Sequence, residues 1–339
     1  MMTGVITRLI RGETLSPGEI EDALHRIMEG EVEATQVAAL LVGLACRPPG
    51  PEILAAAAGV LRFHGLSVRP SVRPLVDTCG TGGDGAGTFN VSTTAAMVVA
   101  GAGAAVAKHG GRGVSSPVGS ADVMDAAGVR LDLSPQRAEE LLDATGFVFL
   151  HAPVFHPAMA RVASVRRSLG VRTIFNLLGP LANPARAECQ LLGVSEPSLT
   201  AVMAETLRRL GSRSALVVHC GGLDEVGLHA PTFGHRLIEG EVRPFRLDPR
   251  ELGLSAAPPA ALAGGDAATN ARIMRGVLAG EEGPRADVVA LNAGAALMVA
   301  GMAQDVREGF HVAREVLAGG DALRVLERYV SSSAKLEAA

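Results

Sequence analysis

Residues 77–120 read DTCGTGGDGAGTFNVSTTAAMVVAGAGAAVAKHGGRGVSSPVGS. One pattern runs through this stretch twice: a short apolar run, a loop of glycines, hydroxyls and a charged group, then a helix start. Gly80, Gly82, Gly83, Gly85 and Gly87 carry no Cβ, so the loop's backbone N–H groups can close around a bulky anion. Asn90, Val91, Ser92 and Thr93 follow at a helix N-terminus, where the dipole favours negative charge and short side chains can donate. Lys108, His109, Arg112, Ser115 and Ser116 supply a second set of donors, two of them cationic. Glycines alone would indicate turns. Packing requires neither the lysine nor the run of hydroxyls, so the doubled pattern predicts a site for a phosphorylated, multiply charged small molecule. It is not a Walker loop, because no Lys-Ser or Lys-Thr pair follows the glycines at the required spacing. A dinucleotide fingerprint fails as well, since Val106 stands where a third glycine belongs after Gly101 and Gly103.

Composition narrows the class. The chain has 339 residues, 48% apolar and 19% charged, enough for two domains with sizeable cores. A net charge of −4, no Trp and one Tyr leave neither the basic surplus nor the stacking platforms of a general nucleic-acid binder. Cys46, Cys79, Cys189 and Cys220 are widely separated and read as buried thiols of a reducing compartment. Charges at Arg8, Arg11 and Glu13 interrupt any signal-peptide core. The longest apolar run, Ala95 to Ala107, covers 13 residues, and a membrane-spanning helix needs about 20. A soluble cytoplasmic protein, with neither membrane nor nucleic acid as partner, is expected.

The texture of the chain changes near residue 70. Before it, helix follows helix: Ser16-Pro17-Gly18-Glu19 is a capping box with proline in the first turn, and Ile20, Ala23, Leu24, Ile27 and Met28 trace an apolar stripe. Two more helices follow, over Val37–Leu44 and from Pro51 through Leu61. A linker with Pro70 and Pro74 leads to short apolar runs alternating with helices, at 75–76, 104–107, 147–150, 191–194 and 215–219. That alternation predicts an α/β fold: a small N-terminal helical domain over 1–70, then a large domain over 71–339 with a largely parallel sheet flanked by helices. The Pro-rich passage within 152–186 is expected to return to the helical domain. Further on, 237–247 reads as a strand, three helices follow through 317, and 331–339 reads as frayed. Ligands of such sheets bind beyond the strands' carboxyl ends, where both glycine loops fall.

These motifs resemble the anthranilate phosphoribosyltransferase family. The resemblance rests on GTGGD at 80–84, TFNVST at 88–93, KHGGRGVSS at 108–116 and GSAD at 119–122. It continues in FHPAM at 155–159, VRRSLGVRTIFNLLGPLANP at 165–184 and GLDE at 222–225. It implies transfer of the phosphoribosyl group of 5-phosphoribosyl 1-pyrophosphate (PRPP) to the amine of anthranilate, a step of tryptophan synthesis, with Mg2+ as cofactor and a homodimer formed through the helical domain. It further implies PRPP contacts from Gly80, Gly83, Asp84, Thr88, Asn90, Val91, Ser92, Thr93, Lys108, Arg112, Ser115, Ser116 and Ser120. Ser92, Asp224 and Glu225 would hold magnesium. Gly80, His109, Gly111 and Arg166 would border the anthranilate, with no dedicated acid or base.

On the residues alone, an acidic pair such as Asp224-Glu225 also reads as a solvated turn, and Arg166 as one face of a basic helix with Arg161 and Arg167. The chain departs from the family pattern where Gly111 replaces an asparagine beside the acceptor, Gly113 an alanine, and Ala163-Ser164 a small residue with proline. A different aromatic acceptor, a nucleoside phosphorylase reaction or a catalytically silent paralogue are the alternatives at this stage.

Overall fold

The computed structural model describes residues 2–113 and 117–334. Four helices come first: α1 (Met2–Ile10), α2 (Pro17–Glu29), α3 (Ala34–Ala45) and α4 (Pro51–His64). The sequence reading began at Ser16 and lacked α1, which buries only Met2 and Val5 and so carries too thin an apolar stripe to announce itself. The capping box forms as expected. Ser16 Oγ accepts from the Glu19 amide at 3.3 Å, and Glu19 Oε2 accepts from the Ser16 amide at 2.8 Å. Such a cap contributes about 1 kcal/mol.

Strand and helix then alternate through β1 (Leu75–Gly80), α5 (Val91–Gly101), β2 (Ala105–Gly110), α6 (Ser120–Ala126), α7 (Pro135–Thr145) and β3 (Phe147–His151). Three short helices follow, α8 (Ala152–Phe155), α9 (Ala160–Leu169) and α10 (Ile174–Leu178), before β4 (Cys189–Gly193), α11 (Leu199–Arg209) and β5 (Ser214–His219). The stretch read as one strand over 237–247 is a hairpin, β6 (Thr232–Ile238) and β7 (Glu241–Leu247). Glu239 and Gly240 turn it with φ of 52° and 78°, the left-handed pair that a tight hairpin demands.

The seven strands form one sheet in the order β3-β2-β1-β4-β5-β6-β7. The first five run parallel and the hairpin closes one edge antiparallel. Helices cover both faces, which is why the parallel strands read as uninterrupted apolar runs rather than alternating ones. The chain starts the sheet at β1, builds outward to β3, then returns to lay β4 on the other side of β1. A crevice opens at that reversal, beyond the carboxyl ends of β1 and β4.

The last helices are α12 (Ala267–Leu278), α13 (Pro284–Ala300), α14 (Val306–Ala318) and α15 (Asp321–Ala334). Here the frayed reading of 331–334 is corrected, because α15 continues to Ala334 with Ser333 fully buried. Its Tyr329 hydroxyl accepts the Phe149 amide of edge strand β3 at 2.9 Å, tying the helix to a strand 180 residues earlier. The expectation of four buried thiols also changes: Cys46 is exposed, Cys79 half-buried, and Cys189 and Cys220 buried. No helix among the described residues is long and apolar enough to cross a membrane.

Candidate active site

A cavity of about 900 Å³ occupies the crevice. Sixteen residues singled out from the sequence line it together: Gly80, Gly83, Asp84, Thr88, Asn90, Val91, Ser92, Thr93, Lys108, His109, Gly111, Arg112, Ser120, Arg166, Asp224 and Glu225. Ser115 and Ser116 lie outside the described residues.

The first glycine loop leaves the end of β1 and is shaped by Asp224. Gly82 and Gly83 hold φ of 63° and 75°, the left-handed region that glycine adopts without steric cost. The Gly82 amide donates to Asp224 Oδ2 at 2.7 Å, and the Ser92 amide, in the first turn of α5, donates to Glu225 Oε1 at 3.1 Å. A Cβ on Gly80 would collide with Asp224 Oδ2, so only glycine permits this approach. Arg172 braces the loop from outside, donating to Ser195 Oγ at 2.7 Å and to the Gly83 carbonyl at 3.3 Å.

Three carboxylates meet here with no cation among the described side chains bonded to them. Burial first, and then the neighbouring Asp84, push Asp224 up to about 6. Burial and then Asp224 push Glu225 well above the ordinary range. Both side chains touch the cavity while protein encloses them elsewhere, which desolvates them without sealing them off. Each accepts a backbone amide, and Asp224 also shares a hydrogen bond with Asp84. Oxygen-only donors with mutual repulsion suit a hard divalent cation shared with phosphate oxygens and water.

Lys108 differs from its expected place as a free donor. It is 1% exposed, and its Nζ reaches the Thr78 carbonyl and, at 3.3 Å, Ser92 Oγ. Thr78 Oγ1 donates in turn to the Ser92 carbonyl at 2.9 Å, so β1 and β2 jointly fix the first turn of α5. Asp77, fully buried, takes the Asn183 amide at 2.7 Å and the His109 backbone N–H at 3.3 Å. Burial raises its carboxyl to about 6 against the pull of Lys108. Arg112 turns along the rim, where Asp122 and Asp125 each hold it at 2.8 Å.

His109, Gly111 and Arg166 also line the cavity. Burial, then the neighbouring His156, hold the His109 imidazole down at about 3. It bonds the Gly179 backbone, leaving Nε2 buried with no hydrogen-bond partner among the described residues. The Arg166 guanidinium lies 5.4 Å over the Phe175 ring. Among the described residues no hydrogen bond or ion pair is recorded for it, whereas Arg161 donates to the Met28 carbonyl. Gly111 has room: a Cβ there would meet only Ala152 Cβ at 3.9 Å, and its φ is not in the left-handed region.

A further wall of the cavity comes from residues outside the motifs. Gly264, Gly265, Asp266 and Asn270 line the cavity because 262–264 folds over the glycine loop, with Phe89 N–H to Leu262 O and Gly264 N–H to Gly87 O both at 2.9 Å. Asn270 Nδ2 donates to Asn90 Oδ1 at 3.0 Å and Asn270 Oδ1 accepts the Gly265 amide at 2.7 Å. A signal was present: Gly264-Gly265-Asp266 repeats the Gly82-Gly83-Asp84 triplet.

Residues 3–65 match the helical bundle domain of a glycosyl transferase family, and residues 72–323 match its a/b domain. An anthranilate phosphoribosyltransferase of Desulfatibacillum aliphaticivorans is 47% identical over 331 residues, covering 97% of this chain and 98% of that protein. The crystal structure of the Thermus thermophilus enzyme superposes with a TM-score of 0.92 at 47% identity, over 97% of this chain and 99% of that one. The Saccharomyces cerevisiae enzyme in complex with PRPP and Mg gives a TM-score of 0.90 at 29% identity, with 98% of each chain covered. That enzyme is also solved with 4-fluoroanthranilate. From its doubled glycine loop to its near-full-length relatives, the chain belongs to the anthranilate phosphoribosyltransferase family.

Proposed function

We propose that the protein transfers the 5-phosphoribosyl group of PRPP to the amine of anthranilate and releases pyrophosphate, the second step of tryptophan synthesis from chorismate. The observation that carries this reading is one cavity lined both by a glycine-rich loop with a carboxylate pair and by an arginine over an aromatic ring. The amine nitrogen attacks the ribose carbon, the carbon–oxygen bond to the diphosphate breaks with its electron pair, and the amine then loses a proton to solvent. An aryl amine is neutral at pH 7, so no strong base is required. His109, held neutral, contributes Nε2 as an acceptor that orients the amine or ring edge. The glycine-loop amides and the α5 N-terminus meet charge building on the leaving diphosphate. Arg166 holds the acceptor's carboxylate.

Asp224, Glu225 and Ser92 are the residues that would hold Mg2+, which supplies charge neutralisation to the pyrophosphate. The yeast relative's complex with PRPP and Mg supports Mg2+ as the ion. A homodimer is part of the reading, supported by Ile10 and Val42, which stand 80% and 42% exposed on the packed helices α1 and α3. So is a helical domain of 1–70 completed by part of 152–186, with 71–339 as the other domain. Support comes from the apolar cluster that joins α2–α4 to Val162, Val165 and Phe175. A cytoplasmic setting accords with four unpaired cysteines.

The test is pyrophosphate release with PRPP and Mg2+, with and without anthranilate. Release that depends on anthranilate bears the reading out; release with phosphate or another aromatic amine, and none with anthranilate, overturns it. Light scattering at micromolar concentration tests the dimer.

A further inference from the structure

Away from the cavity, α2 and α4 bring two imidazoles and a carboxylate together. His25 Nδ1 lies 2.9 Å from His64 Nε2, and one ligand atom from each of His25, Glu29 and His64 falls within 4.8 Å of the others. His25 and Glu29 stand one helical turn apart on α2 and so face the same side. His64 is the last residue of α4, and Glu29 the last of α2. Two helix carboxyl ends, each carrying partial negative charge, therefore converge on the cluster and favour a cation between them.

The separation is that of a hydrogen bond between the two rings, and it also lies within reach of a shared metal. Two nitrogens about 2.05 Å from one ion are about 2.9 Å apart at a right angle and about 3.4 Å apart at the tetrahedral angle. The observed separation matches the first and reaches the second with a few tenths of an ångström of rotamer movement. The Phe63 ring packs edge-on against His25 at 5.3 Å and limits how far that imidazole can swing. Arg161, whose guanidinium holds the Met28 carbonyl, works against a cation. Glu29 and the two helix ends pull the other way.

We propose that His25, Glu29 and His64 form a site for a late first-row divalent metal, with the remaining positions taken by water. Imidazole nitrogen with one carboxylate selects Zn2+, Ni2+ or Cu2+ over Mg2+, so the site is chemically distinct from the all-oxygen pair Asp224 and Glu225. Bound metal would clip α2 to the end of α4, immediately before the 65–74 segment that leads into β1.

The test uses Zn2+ alone, added to the full chain carrying Asp224→Asn and Glu225→Gln so that the cavity's carboxylates cannot compete. Calorimetry should give one saturable equivalent at micromolar Zn2+, none for Mg2+, and a higher melting temperature with Zn2+. His64→Gln should weaken binding by at least the roughly tenfold that loss of a mere supporting group costs a metal site. His25→Gln and the exposed Glu29→Gln should do the same, with circular dichroism checking that each variant is folded. Absence of saturable uptake overturns the proposal, as does uptake that survives both histidine substitutions in folded protein.

Discussion

The Gly82 amide donates to Asp224 Oδ2 at 2.7 Å across 142 residues of sequence. One carboxylate thus sets the shape of the anion loop and also lines the cavity. The loop and the GLDE turn are a single device. Asp224→Asn with Glu225→Gln should therefore abolish most turnover while leaving the fold intact, since both amide acceptors persist in the carboxamides. Relief of carboxylate crowding should also raise the melting temperature of the metal-free protein at pH 8, and Mg2+ should no longer shift it. A near-normal rate across a magnesium titration would refute the assignment.

Arg166→Ala should raise the KM for anthranilate far more than that for PRPP. A charge-assisted bond to a carboxylate contributes about 1.5–3 kcal/mol, or roughly ten- to a hundredfold. Steady-state kinetics with each substrate varied in turn separates this outcome from an equal loss for both, which would make the arginine structural.

Gly111→Asn should tighten anthranilate binding by about 0.5–1.5 kcal/mol, the contribution of one neutral hydrogen bond. The backbone there tolerates a side chain and the nearest atom to a Cβ is 3.9 Å away, so strain does not oppose the gain. Unchanged binding by calorimetry would mean the carboxamide finds no partner on this acceptor.

His109 gives a pH signature. Its folded value of about 3 lies below the ordinary 6.5, so below pH 6.5 the unfolded chain takes up a proton that the folded chain refuses. Stability falls as pH drops from 6.5 toward 3, by up to about 1.4 kcal/mol per pH unit from this group. His109→Asn should flatten that slope. Urea midpoints at pH 5 and pH 8, compared between the two proteins, measure it, and equal slopes would show that the imidazole protonates in place.

Asn270→Ala removes the clasp between α12 and Asn90. With Asn90 Oδ1 and the Gly265 amide left without their partner, the loss should be about 1–3 kcal/mol. It should appear mainly as a higher KM for PRPP, with the anthranilate KM little changed.

Much of this was legible in the residues. Alternation of apolar runs with helices announced the sheet, and the capping box at Ser16 marked the start of α2. The glycines between Gly80 and Gly87 announced an anion loop, since only residues without Cβ serve that geometry. Other features were silent. The stripe on α1 was too thin to see, and the hairpin at 232–247 looked like one strand because its turn, Glu239-Gly240, lacks the usual asparagine or aspartate. Tyr329 and Ser333 looked like a tail because nothing local shows that β3 needs its edge covered.

The sequence by itself determined the class of fold, the anion loop and the family, because backbone conformation and residue chemistry are local properties that a short motif carries whole. The tertiary structure decided what those residues face. It sank Lys108 beneath Ser92, swung Arg112 onto Asp122 and Asp125, folded Gly264–Asn270 over the cavity, and pressed Asp224 against the Gly82 amide. Each of these joins parts of the chain that are distant in sequence. Burial and partner charge, which set the protonation of Asp224, Glu225 and His109, depend on the enclosing protein and have no counterpart in any single stretch of the chain.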